Sequence, residues 1–284
     1  MRLTEIRIFP VKALAGLTCD VAVVEPRGLA GDRRWMLIDD TGRFLSQREH
    51  PGMALIDAVP AQAGIVLHTH GQPPLFVAEP DRSTPPRPVH VWRDHFFAIP
   101  AAETAAAWLT RALGVPCALV FQADPTTRPV SPAFAAPGDV VSCADGFPLL
   151  LTTEASLAAL NARLASPVPM LRFRPNLVVA GAPAWAEDSW RRLRIGTATF
   201  RVVKPCDRCV VTTIDPATAT RPNPEEPLRT LKTFRRDATG RVYFGQNLIP
   251  DSGGEIRRGD AIDVLESGPP NVVVSDRAAA TSPA

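Results

Sequence analysis

The run RLRIGTATFRVVKPCDRCVVTTID, residues 192–215, decides whether this chain is built mainly on strands or on helices. Its second half, CVVTTID, is crowded with Val, Thr and Ile. Such β-branched residues are stiff at χ1 and fit a pleated surface better than a helix. RLRIGTATFRVVKP reads the same way, so both pieces are expected to be strands.

The pattern holds on either side. LTEIRIFPVKAL alternates until Pro10, and NLVVAG is a further short strand. RRWMLIDDTGRFLSQ reads as a hairpin turning at Asp40-Thr41-Gly42, and GIVLHTHGQPPLFVAEP as another turning at Gly71-Gln72-Pro73. RPVHVWRDHFFAIP supplies at least one more strand, and GEIRRGDAIDVLE a closing strand pair. Helices are few. AAETAAAWLTRALGVP stops at Gly114 before Pro116, and TTEASLAALNARLA starts at a Thr152 or Thr153 cap. EEPLRTLKTFRR is short, with acids first and bases last, as a helix dipole prefers. The helices are too few to alternate as βαβ units. The expected fold class is therefore mainly β with a few helices, a β-rich α+β chain of two β-barrel-like domains. They would meet near residues 115–140, and the Pro-, Ala- and Thr-rich stretch 122–142 is the best loop or linker candidate.

Composition narrows the function classes. A net charge of +2 over 284 residues gives no global pull toward nucleic acid or a membrane surface. No run of about 18 apolar residues exists to span a bilayer. No N-terminal segment reads as a signal peptide, so the cytoplasm is the expected location. Five scattered cysteines do not form a secreted disulfide framework.

Cys206 and Cys209 are the only close cysteine pair. A zinc knuckle or an iron–sulfur cluster needs four ligands, and Cys19, Cys117 and Cys143 offer no second pair. His68 and His70, in a hairpin, could complete a Cys2His2 site, though nothing in the spacing asks for it. A redox dithiol sits at a helix N-terminus, which the expected strand after Cys209 argues against. A disulfide is disfavoured by compartment. Two readings remain open on the residues alone. Either Cys209 is a single thiolate favoured by Lys204 and Arg208, or both cysteines are small buried hydrophobes.

Several separate motifs agree on a family. FRPNLVVAG, KPCDRCVVTTIDP, EPLRTLKTFRR and FGQNL occur in an order that resembles the MOSC domain. IRIFPVKALAG and GDRRWMLIDDTGRFLSQRE resemble the β-barrel domain that precedes it. The resemblance spans roughly residues 1–266 and implies an N-terminal MOSC β-barrel domain over 1–120 and a MOSC domain over 121–266. Residues 267–284 read as a disordered tail.

The resemblance is nearest to the amidoxime-reducing components of mitochondria and bacterial relatives that detoxify N-hydroxylated bases. It implies a molybdenum cofactor (molybdopterin with Mo) between the two domains. Cys209 would be the catalytic metal ligand, with Cys206 a neighbour. Lys12, Arg33, Arg174, Asn176, Asp207, Arg208 and Asn247 match cofactor contacts, and Gly146 and Phe147 lie in a matching pocket loop, ADGFPLLL. One position departs: Ala13 stands where the family commonly has Ser after the first lysine, so a hydroxyl donor is lost. The implied activity is reduction of amidoximes or hydroxylaminopurines to amidines or amines. The alternative is a cofactor or sulfur carrier using Cys209 without N–O reduction. The chain carries no fused ferredoxin cysteines, so electrons are expected from a separate ferredoxin, flavin reductase or cytochrome. A small N-hydroxylated substrate is the other expected partner.

Blander readings stand beside these. Lys12 and Arg33 suit solvated strand ends. Arg172 and Arg174 would share one face of a strand. Glu187 and Asp188 diverge as neighbours and suit a turn or cap. His50, His90 and His95 show no ligand spacing, and Trp185 and Trp190 suit packing.

Overall fold

The computed structural model describes residues 1–123 and 128–272. It is mainly β, with three α-helices among the described residues. The largest sheet has eight strands, in the spatial order Ile262–Ser267, Trp190–Ile195, Ala198–Asp207, Tyr243–Ser252, Leu149–Thr153, Leu177–Ala180, Arg2–Ile8 and Leu17–Cys19. All neighbours are antiparallel except Leu149–Thr153 and Leu177–Ala180, which run parallel through the intervening helix Glu154–Asn161. Thr153 caps that helix, its hydroxyl accepting from the Ser156 amide. Strand alternation explains the core. Ala198, Phe200 and Val202 point inward, while Thr199 and Arg201 face out. Burying a side chain such as Phe200 is worth about 1.5–3 kcal/mol.

Residues 1–29 belong spatially with the later part of the chain. Arg2–Ile8 pairs with Leu177–Ala180, and Val21–Glu25 pairs with Gly254–Arg257. Strand pairing thus crosses the boundary expected near residue 120. The intervening residues build a second core around Trp35, Leu37, Leu67 and Trp108. Its sheets are the hairpin ladder Asp57–Ala61, Gly64–Thr69 and Gln72–Ala78, and a four-stranded sheet in the order Trp35–Ile38, Ala118–Phe121, Asp94–Pro100 and Arg87–Val91. The helix Glu103–Leu113 covers this core and ends at Gly114, whose φ of 72° is the left-handed cap expected there.

Three expectations need correction. CVVTTID is not a strand: Val210–Thr213 is a single 3₁₀ turn. The partner strand begins at Tyr243, opposite Asp207, so a continuing strand would lack a neighbour there. The two threonines instead fold back, with Thr212 Oγ1 donating to the Cys209 carbonyl and Thr213 Oγ1 to that of Val210. GEIRRGDAIDVLE does give two strands, but they do not pair with each other. Gly254–Arg257 joins Val21–Glu25, and Ile262–Ser267 joins Trp190–Ile195. The start of the expected tail is also built in. The Asn271 side chain exchanges hydrogen bonds with Gln246, and Val272 is buried. Residues 273–284 lie outside the described residues, as do 124–127 of the expected loop.

Among the described residues no helix is long and apolar enough to cross a membrane.

Candidate functional site

The end of the first strand, the turn after Ala30, the Asp145–Phe147 loop and the 3₁₀ turn at Cys209 converge on one cleft of about 550 Å³. Every site residue expected from the sequence lines it: Lys12, Arg33, Gly146, Phe147, Arg174, Asn176, Asp207, Arg208, Cys209 and Asn247. So does Ala13, whose φ is 67°. Seven basic side chains line the cleft against two carboxylates, Asp145 and Asp207.

Arg33 and Arg174 both sit in left-handed backbone, at φ 48° and 53°. Their guanidinium groups lie 4.5 and 4.2 Å from the centre of the Phe9 ring. Arg33 is well satisfied, donating to Asp32 at 2.5 Å and to Asn176 at 3.1 Å. Arg174 is not. Its Nη2 is buried with no partner among the described residues, and burial together with Arg33 pulls its pKa down to about 9. Arg208 donates to the Phe173 carbonyl and to Cys206 Sγ, and its Nε is likewise buried and without a partner among the described residues. Buried charged donors without acceptors are costly, and a bound anion in the cleft would offset that cost.

Asn176 plays a different part from a free cofactor contact. Its side-chain oxygen accepts from Arg33 and from the Leu150 amide, and its amide donates to the Arg7 carbonyl. It holds Arg33 in place. Lys12 is a buried lysine, not a solvated strand end. Its Nζ reaches Asp145 Oδ1 at 2.5 Å, and burial lowers its pKa against the pull of Asp145.

The two cysteines differ. No disulfide joins them. Burial pushes the Cys206 thiol up, partly offset by Arg208 at 2.9 Å. Cys209 receives Arg48 Nη2 at 3.2 Å instead. The cations expected to favour Cys209 are thus engaged elsewhere: Arg208 with Cys206, and Lys204 with Asp207 at 3.4 Å. Among the described residues no group of three or more His, Cys, Asp or Glu is placed to hold a metal ion. A metal here would have to bring its remaining ligands with it.

Sequence reasoning did not single out Arg48, Asp145, Trp92 or Arg128. Arg48 and Asp145 stand inside motifs that were read, LSQRE and ADGFPLLL. Arg128 is fully buried and clamps the pocket loop, donating to the carbonyls of Ser142, Ala144 and Asp145. Arg172 does not share a strand face with Arg174. It lies in the 3₁₀ turn Met170–Phe173 and fastens the Cys209 segment through the Thr213 carbonyl at 3.1 Å.

Residues 138–263 match the MOSC domain, and residues 1–116 match the MOSC N-terminal beta barrel domain. The chain belongs to the MOSC family. This MOSC chain is 32% identical over 276 residues to "Mitochondrial amidoxime-reducing component 1" of Homo sapiens, covering 91% of the chain and 81% of that protein. It is equally identical, over 278 residues, to the protein of the same name in Mus musculus, covering 91% and 80%. It is 31% identical over 273 residues to "Molybdenum cofactor sulfurase" of Danio rerio, covering 88% of the chain but 32% of that protein.

Proposed function

We propose that this chain binds a molybdenum cofactor in the cleft and reduces N-hydroxylated compounds, amidoximes or hydroxylaminopurines, to amidines or amines. One observation carries the reading: a cysteine beside a guanidinium donor, Cys209 with Arg48, faces a cleft whose buried Arg174 and Arg208 donors lack acceptors. That donor set fits a pterin dithiolene bearing a phosphate. Arg33, Arg174 and Arg208 would hold the anionic parts, with Lys12 as a point charge and Asn247 on an interior strand paired on both sides. Cys209 would supply the protein's own ligand. When bound, the cofactor supplies two electrons and takes the oxygen of the N–O bond.

The chain's own residues orient and select. Arg48 fixes the Cys209 sulfur, Arg172 pins the turn that carries it, and Arg128 holds the loop opposite. The overall change consumes two electrons and two protons and releases water with the amidine. A separate electron-donor protein provides the electrons. The proposed compartment is the cytoplasm, in keeping with five free thiols.

The test is molybdenum content and benzamidoxime reduction, with an artificial electron donor, in wild type, Cys209→Ala and Cys206→Ala from a cofactor-competent host. Cys206→Ala should keep the metal and Cys209→Ala should lose it. Equal molybdenum in wild type and Cys209→Ala sinks the ligand assignment. Loaded protein without turnover on several N-hydroxy substrates favours a carrier instead.

A further inference from the structure

Two side chains at the cleft, Trp92 and Asp145, carry no positive charge with which to hold an anion. Trp92 is 50% exposed yet touched by three side chains. Its Nε1 donates to Asp145 Oδ1 at 3.2 Å. The Arg48 guanidinium lies 4.5 Å from its ring centre, and Phe44 meets it edge-on at 4.9 Å. Its backbone has a φ of 57°, a strained conformation for a bulky residue. A half-open indole held by these contacts is a preformed stacking surface.

Asp145 completes the arrangement. Its Oδ1 is shared by Lys12 and Trp92, while among the described residues nothing donates to its Oδ2. The carboxyl side chain is 67% exposed. Lys12 holds it well below the usual carboxylate range, so it is an anion at neutral pH. A free carboxylate oxygen beside an open aromatic face, in a cleft otherwise rich in cations, suits a planar ligand with paired N–H donors.

We propose that Trp92 and Asp145 form the substrate end of the cleft and select planar aromatic amidines and their N-hydroxylated forms. The proposal rests on the N–O reduction reading for its substrate class. Two N–H donors of the amidine group face Asp145 Oδ2, and the attached ring stacks on Trp92. The anion bound at the other end neutralises the arginines that would otherwise repel a cationic amidine.

The experiment is calorimetric titration of benzamidine and its neutral isostere benzamide into molybdenum-loaded wild type, Trp92→Phe, Trp92→Ala and Asp145→Asn. Affinities are normalised to the metal content of each sample. Wild type should prefer benzamidine. Asp145→Asn should weaken benzamidine at least about tenfold and benzamide little, as expected for a charged hydrogen bond. Trp92→Ala should weaken both about tenfold, and Trp92→Phe should retain most of the affinity. Cofactor-free protein should bind more weakly in the same rank order, so the subsite is tested whatever fills the anion end. No preference of wild type for benzamidine, or unchanged affinity in Trp92→Ala and Asp145→Asn, overturns the proposal. The expected binding pattern without any benzamidoxime turnover supports the subsite and counts against the proposed reaction alone.

Discussion

The Arg48 guanidinium donates to the Cys209 sulfur at 3.2 Å, bridging 161 residues of chain and the two halves of the cleft. The same guanidinium stacks on Trp92, and its carbonyl accepts from Arg221 at 3.2 Å. A hydrogen bond to a charged group is worth about 1.5–3 kcal/mol, roughly tenfold to a hundredfold in rate if it acts in the transition state. Arg48→Ala should lower kcat for benzamidoxime by at least about tenfold while most molybdenum is retained. Arg48→Lys should fall between, because an ammonium cannot both reach the sulfur and stack as a plane. Steady-state kinetics normalised to metal content decide it. Unchanged kcat would make the contact incidental.

Arg174 carries a stability cost that a bound anion would offset. Its pKa in the folded cofactor-free protein is pulled down from the ordinary guanidinium range to about 9, mainly by burial and by Arg33. Below pH 9 it is charged in both states, and the burial penalty is fully present. From about pH 9 up to the ordinary guanidinium range the unfolded chain binds the extra proton, so this group's contribution to stability rises with pH. Arg174→Met should therefore stabilise the cofactor-free protein at pH 7 by at least about 1 kcal/mol. The gain should shrink as pH rises past 9. Molybdenum content should fall several-fold in the same variant. Urea unfolding at pH 7 and 9.5 with metal analysis tests both halves, and a destabilised variant at pH 7 contradicts the argument.

Much of this was legible in the chain because it rests on local signals. The hairpin at Asp40-Thr41-Gly42 and the helix ending at Gly114 follow from turn chemistry and period, and both formed as read. The cleft residues were found through motif order, which carries long-range information that period does not. CVVTTID misled because β-propensity needs a neighbouring strand, and the sheet runs out at Asp207. Arg48, Asp145 and Trp92 could not be paired from sequence. Their contacts span 53 to 161 residues and depend on how the halves close. The Asp188–Arg235 pair was hidden for the same reason. Glu187 and Asp188 do lie in a turn, Ala186–Ser189, as expected, but both are buried, and Asp188 meets Arg235 in a bidentate pair, at 2.6 and 3.0 Å.

Glu187, next to that pair, is buried; among the described residues Oε1 lacks a hydrogen-bond partner, while Thr153 Oγ1 donates to Oε2 at 3.2 Å and the Ser156 side chain also acts on the carboxyl. Burial raises its pKa above the ordinary 4.5. A raised carboxyl contributes stability that is full below 4.5 and is lost as pH climbs through the folded value. Glu187→Gln keeps the shape and removes that loss. The variant should match wild type in Tm near pH 4.5 and exceed it at pH 8. Thermal unfolding at the two pH values checks this, and a pH-independent difference would show that the carboxyl does not titrate with folding.

Gly245 sets the register that delivers Asn247 to the cleft. It has a φ of 79° within Tyr243–Ser252, and the pairing with Ala198–Asp207 slips there, Pro205 facing Gln246 and Asp207 facing Tyr243. A Cβ at this position would meet the Leu151 carbonyl oxygen at 2.7 Å. Left-handed backbone costs a non-glycine residue roughly 1–2 kcal/mol before that clash is counted. The neighbour is sheet backbone and cannot turn aside. Gln246, one residue on, donates to Asp188 at 2.7 Å and to Asn271 at 3.0 Å, so any shift of the bulge strains the buried pair as well. Gly245→Ala should therefore destabilise the protein by about 2–4 kcal/mol. It should also release molybdenum faster on dilution, because Asn247 moves with the bulge. Urea midpoints and metal retention measured together test this. A variant as stable as wild type would mean that the strand relaxes without using the left-handed turn.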